Sequence, residues 1–372
     1  MDECNKFYGI PLFGYLITDV TMKPMIRHLL LPLLIAGFLP AAGQTRPDTL
    51  ALPCLQKAER LLDEALTFME KNYYRKDEIS WPDLGARARH QLQSAGNCDD
   101  AYASITWCFK QLNEPHSFIM PPDKAARYAG DPGGSPDEPG LSGLVGEIRG
   151  EWLRDSIGYL TVPWVSTTDS LLCERIADSL QSVIARLDSK GISRWIIDLR
   201  KNSGGNCWPM LTGIGPLLGD GLYGYFVSSG ERIPITYREG SAFQGRHILC
   251  RVSNKGYRTQ KDRKYIVILT GPRTVSAGEI VALAFKGRAS TYFIGEPTAG
   301  LTTANATYSL SDKSMLVLTV CQEADCTGRI CEGRILPDKI IPLSASGDAH
   351  PATGNDPVKE AAVSWLTSTI FN

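Results

Sequence analysis

The chain has 372 residues, room for about two or three domains and a large buried core. Its 39 Lys and Arg against 40 Asp and Glu leave a net charge of −1, so no global field holds a polyanion and nucleic acid is not an expected partner. A content of 43% hydrophobic and 21% charged residues excludes a largely disordered chain, and the absence of an internal repeat excludes solenoids and propellers.

In chain order, Lys23 and Arg27 precede an apolar run from Leu29 to Leu39, followed by Pro40-Ala41-Ala42-Gly43-Gln44. A charged start, a short apolar segment and a small-residue site describe a secretory leader over 22–43, cleaved after Gly43. The run is too short to span about 30 Å of hydrocarbon as a helix. Residues 1–21 form an upstream extension, and translation is expected to begin at Met22 or Met25. No Cys lies between Cys4 and Cys54, which argues against a lipid-anchored cysteine. The mature chain is therefore expected in the periplasm or outside the cell, without an integral membrane segment.

Nine cysteines survive cleavage: Cys54, Cys98, Cys108, Cys173, Cys207, Cys250, Cys321, Cys326 and Cys331. An odd number in an oxidising space leaves at least one thiol free. Cys321, Cys326 and Cys331 recur every five residues with no nearby His, which fits buried thiols or a local disulfide better than zinc. No metal or cofactor is expected.

Residues 51–122 read as a small helical N-terminal domain. Leu55, Leu62, Leu66 and Met69 recur at helical spacing, as do Tyr102, Ile105, Cys108 and Leu112. A Pro/Gly-rich linker or loop follows over 123–142. The α/β core then runs over 143–345: a strand at 157–162, a helix capped by Asp169 and ended by Gly191, strands at 195–199 and 265–270, a helix at 276–286, and strands at 292–294 and 315–320. A tail over 346–372 ends in an amphipathic helix from Pro357 to Thr367.

Two strand ends carry unusual loops. In Asp198-Leu199-Arg200-Lys201-Asn202-Ser203-Gly204-Gly205-Asn206, paired glycines either form an ordinary turn or let backbone N–H groups approach a ligand. In Thr270-Gly271-Pro272-Arg273-Thr274-Val275-Ser276-Ala277-Gly278-Glu279-Ile280, a serine opens a helix. It is either a plain N-cap or a nucleophile beside the positive end of the helix. Position 274 is Thr, so the Gly-x-Ser-x-Gly elbow is absent and an α/β-hydrolase is disfavoured. A serine nucleophile needs a base. Of the five histidines, His28 falls in the leader, and His90, His247 and His350 lie in polar stretches. His116, in Glu114-Pro115-His116-Ser117-Phe118, sits in a turn closing the helical region and is the candidate.

Asp-Leu-Arg-x-Asn-x-Gly-Gly at 198–205, Ser-Ala-Gly-Glu at 276–279, Gly-Glu-x-Thr-x-Gly at 295–300 and Pro337-Asp338 together resemble the C-terminal processing (tail-specific) serine peptidases and their tricorn-type relatives. The resemblance covers most of 143–345. It implies an α/β fold with a ClpP/crotonase-like β-β-α layered core, peptide-bond hydrolysis and a protein or peptide substrate. It maps the nucleophile onto Ser276 and the oxyanion hole onto the N–H groups of Ala277 and of Gly204 or Gly205.

The processing branch carries a lysine base after Thr-x-Gly, where this chain has Leu301, so a Ser–Lys dyad is excluded there. The tricorn-type branch takes a histidine from an early turn similar to His116-Ser117 and a late glutamate before Pro-Asp, for which Glu332 is the nearest match. Glu296 and Glu279 are rival carboxylates. No stretch between 123 and 155 is long enough for the PDZ module of many relatives. The expected activity is that of an exported serine endopeptidase with His116 as base. Two alternatives share the fold: a binding protein whose catalytic equipment has decayed, favoured by Leu301 and Pro115, and a crotonase-type acyl-CoA enzyme, disfavoured by the leader.

Overall fold

The computed structural model describes residues 51–95, 100–129, 143–342 and 356–368. The leader, the extension before it, positions 130–142 of the expected linker and most of the tail before its helix lie outside the described residues.

Three helices open the described chain: α1 (Ala51–Asn72), α2 (Trp81–Ala95) and α3 (Asp100–Gln111). Their apolar stripes, among them Leu62, Met69, Leu92 and Ile105, share one core with Leu310, Leu316 and Leu318 of the following layer. A short strand, β1 (Phe118–Met120), comes next. The expected linker begins instead as a helix, α4 (Pro122–Tyr128), because Pro121 and Pro122 preset its first turn.

The remainder forms two sheets. The six-stranded sheet runs β13-β10-β9-β4-β3-β2, with β2 (Gly150–Leu153), β3 (Ile157–Thr161), β4 (Arg194–Asp198), β9 (Tyr265–Thr270), β10 (Thr291–Gly295) and β13 (Lys339–Ile340). All its pairs are parallel except β2 with β3. The helix α5 (Ser170–Asp188) connects β3 to β4, and α7 (Ala277–Phe285) connects β9 to β10. Asp169 Oδ1 accepts the Leu172 N–H at 2.8 Å and caps α5. In β9, Ile266 and Ile268 face the core under α5 and α7, while Tyr265, Val267 and Leu269 face α8 (Pro357–Ser368). A sheet covered on both sides has no polar face, which explains the unbroken apolar run.

The seven-stranded sheet contains β5 (Gly221–Ser228), β6 (Glu231–Arg238), β7 (Ser241–Gln244) and β8 (His247–Arg251) as an antiparallel meander. It continues through β12 (Met315–Ala324), which also pairs β1 and β11 (Thr303–Ser309). The helix α6 (Cys207–Leu218) fills the core behind the first loop. Arg200 anchors that loop to the C-terminal helix: its guanidinium bonds both Asp198 and Asp356, and Asp356 in turn accepts the Lys359 N–H.

Cys54 is disulfide-bonded, while Cys108, Cys173, Cys207, Cys250, Cys321, Cys326 and Cys331 are free thiols. No helix among the described residues is long and apolar enough to cross a membrane.

Candidate active site

Ser276 stands between the end of β9 and the first turn of α7. Its backbone, at φ 52° and ψ −117°, occupies a region that L-residues adopt at a cost of about 1–3 kcal/mol. Glu279 secures this conformation. Fully buried, it accepts the N–H groups of Ser276 at 2.9 Å, Gly300 at 2.8 Å and Leu301 at 2.8 Å, as well as the Thr298 hydroxyl at 2.5 Å. Burial raises the Glu279 pKa, and these hydrogen bonds oppose the rise. Glu279 is thereby committed to the backbone at the helix start.

The Ser276 hydroxyl faces His116 Nε2 at 2.8 Å. The other ring nitrogen, Nδ1, lies 2.8 Å from Thr303 Oγ1 at the start of β11. His116 is 6% exposed, and burial lowers its pKa from 6.5 to about 4, so the ring is neutral at physiological pH. In the tautomer with the proton on Nδ1, Nδ1–H donates to Thr303 and the Nε2 lone pair faces the serine hydroxyl.

The first glycine loop packs against the serine loop through Asn202. Its amide donates to the carbonyls of Val162 and Pro163, its Oδ1 accepts the Gly204 N–H at 3.0 Å, and its backbone carbonyl accepts the Val275 N–H at 3.0 Å. Gly204 and Gly205 both have positive φ, at 94° and 98°. A Cβ on Gly204 would lie 3.0 Å from Ser276 Cβ, and one on Gly205 would lie 1.9 Å from the Val165 carbonyl oxygen. Gly205 and Ala277 line the cleft with Ser276, and their N–H groups have no acceptor among the described residues. The cleft encloses about 320 Å³, with Phe118, Met120, Tyr128 and Leu301 among its apolar walls.

Ser276, His116, Ala277 and Gly205 are thus brought together, and two expected partners are not. The Gly204 N–H is taken up by Asn202. Glu332 is exposed on the rim of a neighbouring polar pocket of about 550 Å³, where it makes no hydrogen bond or ion pair among the described residues, while Thr303 occupies the position beside Nδ1 expected for it. The rival Glu296 does not line the cleft. His90 and His247 are exposed on the surface, and His350 lies outside the described residues. Glu323 is buried with neither carboxylate oxygen bonded, and burial, then the Glu279 charge, holds its pKa well above 4.5. Sequence reasoning missed Thr303 and the bridging role of Asn202. The asparagine was visible in the Asp-Leu-Arg-x-Asn-x-Gly-Gly motif, whereas Thr303 carried no local signal.

The family model of peptidase family S41 matches residues 156–341, half of the chain. The chain belongs to peptidase family S41. This places it among serine peptidases related to the C-terminal processing proteases. It is 28% identical to a nisin-resistance protein of Lactococcus lactis subsp. lactis over 86% of this chain and 89% of that protein. It is 29% identical to the carboxy-terminal processing protease CtpA of Bacillus subtilis over 48% of this chain but only 33% of CtpA. Two solved structures share the S41 fold: a lipoprotein from Streptococcus agalactiae, with a TM-score of 0.65 at 22% identity over 84% of this chain and 97% of that one, and the photosystem II D1 C-terminal processing protease, with a TM-score of 0.51 at 16% identity over 80% and 98%. The S41 match begins at residue 156, so His116 comes from the segment before it.

Proposed function

We propose that the chain is an exported serine endopeptidase that cleaves peptides through an acyl-enzyme formed on Ser276, with His116 as general base. The observation that carries this reading is the 2.8 Å contact between Ser276 Oγ and the Nε2 of a buried, neutral imidazole. The absence of a carboxylate from the ring does not prevent base catalysis, because a neutral histidine needs only a free lone pair and a fixed orientation.

In the first half-reaction, His116 Nε2 takes the Ser276 proton while Oγ attacks the substrate carbonyl carbon. The negative charge that develops on the carbonyl oxygen is received by the N–H groups of Ala277 and Gly205, beside the positive end of α7. The imidazolium then gives its proton to the leaving amine as the C–N bond breaks. Water repeats the sequence on the ester, His116 again taking and returning one proton, and the free acid and the serine are released. Thr303 accepts Nδ1–H throughout and keeps Nε2 directed at the serine.

Export is supported by the leader at 22–43 and by the disulfide at Cys54, a bond that persists in oxidising compartments. The nisin-resistance relative covers most of both chains, so nisin is the first peptide to assay, beside an unfolded protein. The wild-type chain is expected to hydrolyse one of these substrates, and Ser276→Ala to abolish the cleavage. Cleavage that survives in Ser276→Ala would contradict the assignment.

A further inference from the structure

His116 is carried by the turn between α3 and β1, on the seven-stranded side, whereas Ser276 belongs to the six-stranded side. Backbone bonds from the Asn113 N–H to Lys110 and from the Glu114 N–H to Phe109 close the turn as far as Glu114, and Pro115 leaves no backbone donor just before the histidine. The backbone of His116 is nevertheless held at both polar groups. Glu114 Oε1 accepts its N–H at 2.9 Å, and Asn305 Nδ2, on β11, donates to its carbonyl oxygen at 2.9 Å.

Glu114 is itself buried, 8% exposed, which is costly for a carboxylate unless donors surround it. Besides the His116 N–H, it is approached by Thr319 Oγ1 at 3.0 Å and by the Tyr73 hydroxyl, at the end of α1, at 3.4 Å. Thr319 also lies 2.9 Å from Asn305 Oδ1, so one hydroxyl links the two residues that grip the histidine. The ring contacts of His116 are with Ser276 and Thr303, and neither is made by a carboxylate.

We propose that Glu114 is a positioning residue for the proton transfer. It acts through the His116 backbone N–H and, with Asn305, splints the turn so that the imidazole stays within reach of the Ser276 proton. A carboxylate thus serves the base from the main-chain side instead of through Nδ1. The inference rests on His116 being the base and goes beyond it, because it assigns the buried acid two residues earlier a part in turnover.

The test is labelling of the full mature chain by a fluorophosphonate, comparing the maximal labelling rate with the half-saturating concentration in four proteins: wild type, His116→Ala, Glu114→Met and Glu114→Gln. Methionine preserves length and bulk without an acceptor, and glutamine restores a neutral acceptor for the N–H. The expected result is a maximal rate lowered about 10²-fold in Glu114→Met, as for a misplacement of about 1 Å. The half-saturating concentration should hold, and most of the rate should return in Glu114→Gln. Circular dichroism melts give the folded fraction. A wild-type rate in Glu114→Met, an equal loss in Glu114→Gln, or a loss that merely follows the folded fraction would overturn the positioning role, while an inactive His116→Ala left the base assignment standing. Wild-type labelling of His116→Ala would overturn that assignment and the positioning role with it.

Discussion

The Nε2 of His116 meets the Oγ of Ser276 at 2.8 Å although 160 positions separate the two residues in the chain. One comes from a turn attached to β1 of the seven-stranded sheet, the other from the tip of α7, which follows β9 of the six-stranded sheet. Both the chemistry and its pH dependence follow from how deeply that contact is buried.

Burial lowers the His116 pKa to about 4, because little water is present to solvate an imidazolium. As the proposed base, His116 is therefore neutral across the neutral range, and the acid limb of kcat/KM is expected near pH 4. Stability has its own sign. The folded pKa lies below the unfolded value of about 6.5, so the unfolded chain binds more protons as pH falls. This contribution is intact above pH 6.5, declines between 6.5 and about 4, and is level below that, a loss of about 3 kcal/mol at 1.36 kcal/mol per pH unit. A pH–rate profile with its acid limb centred near 6.5 would contradict the buried, neutral imidazole.

Thr303→Val keeps the shape of the side chain and removes the acceptor for Nδ1–H. Without it the neutral ring loses an anchor for the productive tautomer, and kcat is expected to fall roughly 10–100-fold, by analogy with the partners that orient metal-bound histidines. Glu332→Gln, on the exposed rim, should leave kcat unchanged. Steady-state kinetics of the two variants distinguishes them, and the opposite pattern would restore the glutamate to the ring.

The glycine loop predicts a loss of another kind. In Gly204→Ala the new methyl would lie 2.7 Å from the Val275 carbonyl oxygen and 3.2 Å from the Ala277 nitrogen, on a backbone at φ 94°. Relief of that contact moves Ala277 away from Gly205, and kcat should drop about 10²–10³-fold, the scale of one lost oxyanion donor. The thermal midpoint should fall as well, because the strained backbone costs about 1–3 kcal/mol. A variant that melts lower yet turns over at the wild-type rate would separate Gly204 from the oxyanion site.

How much of this was legible in the sequence depended on whether the signal was local. The strand at 265–270 and the helix cap at Asp169 were found because apolar runs and capping residues act over a few positions. The helix α6 was missed: its sequence, Cys-Trp-Pro-Met-Leu-Thr-Gly-Ile-Gly-Pro-Leu-Leu, is buried almost all round, so it has no polar face to give a period, and its prolines and glycines suggest breaks. The meander β5 to β8 escaped for want of assigned alternation. At the site, Ser276 and His116 were reached through motifs, but the partner of the imidazole was not: Glu332, Glu296 and Glu279 were the candidates, and Thr303 stands beside Nδ1. That placement depends on where β11 begins against β12, where Thr303 pairs with Gln322, a long-range register that no local pattern encodes. The same holds for Gly204, whose N–H could be seen as spent only once the Asn202 side chain was placed.

The central claim, that His116 activates Ser276, is tested most directly by treating the protein with a fluorophosphonate and locating the adduct by peptide mass spectrometry. The account predicts a single adduct on Ser276 in the wild type and none in His116→Ala. No adduct at Ser276, or equal labelling with and without the imidazole, would contradict it.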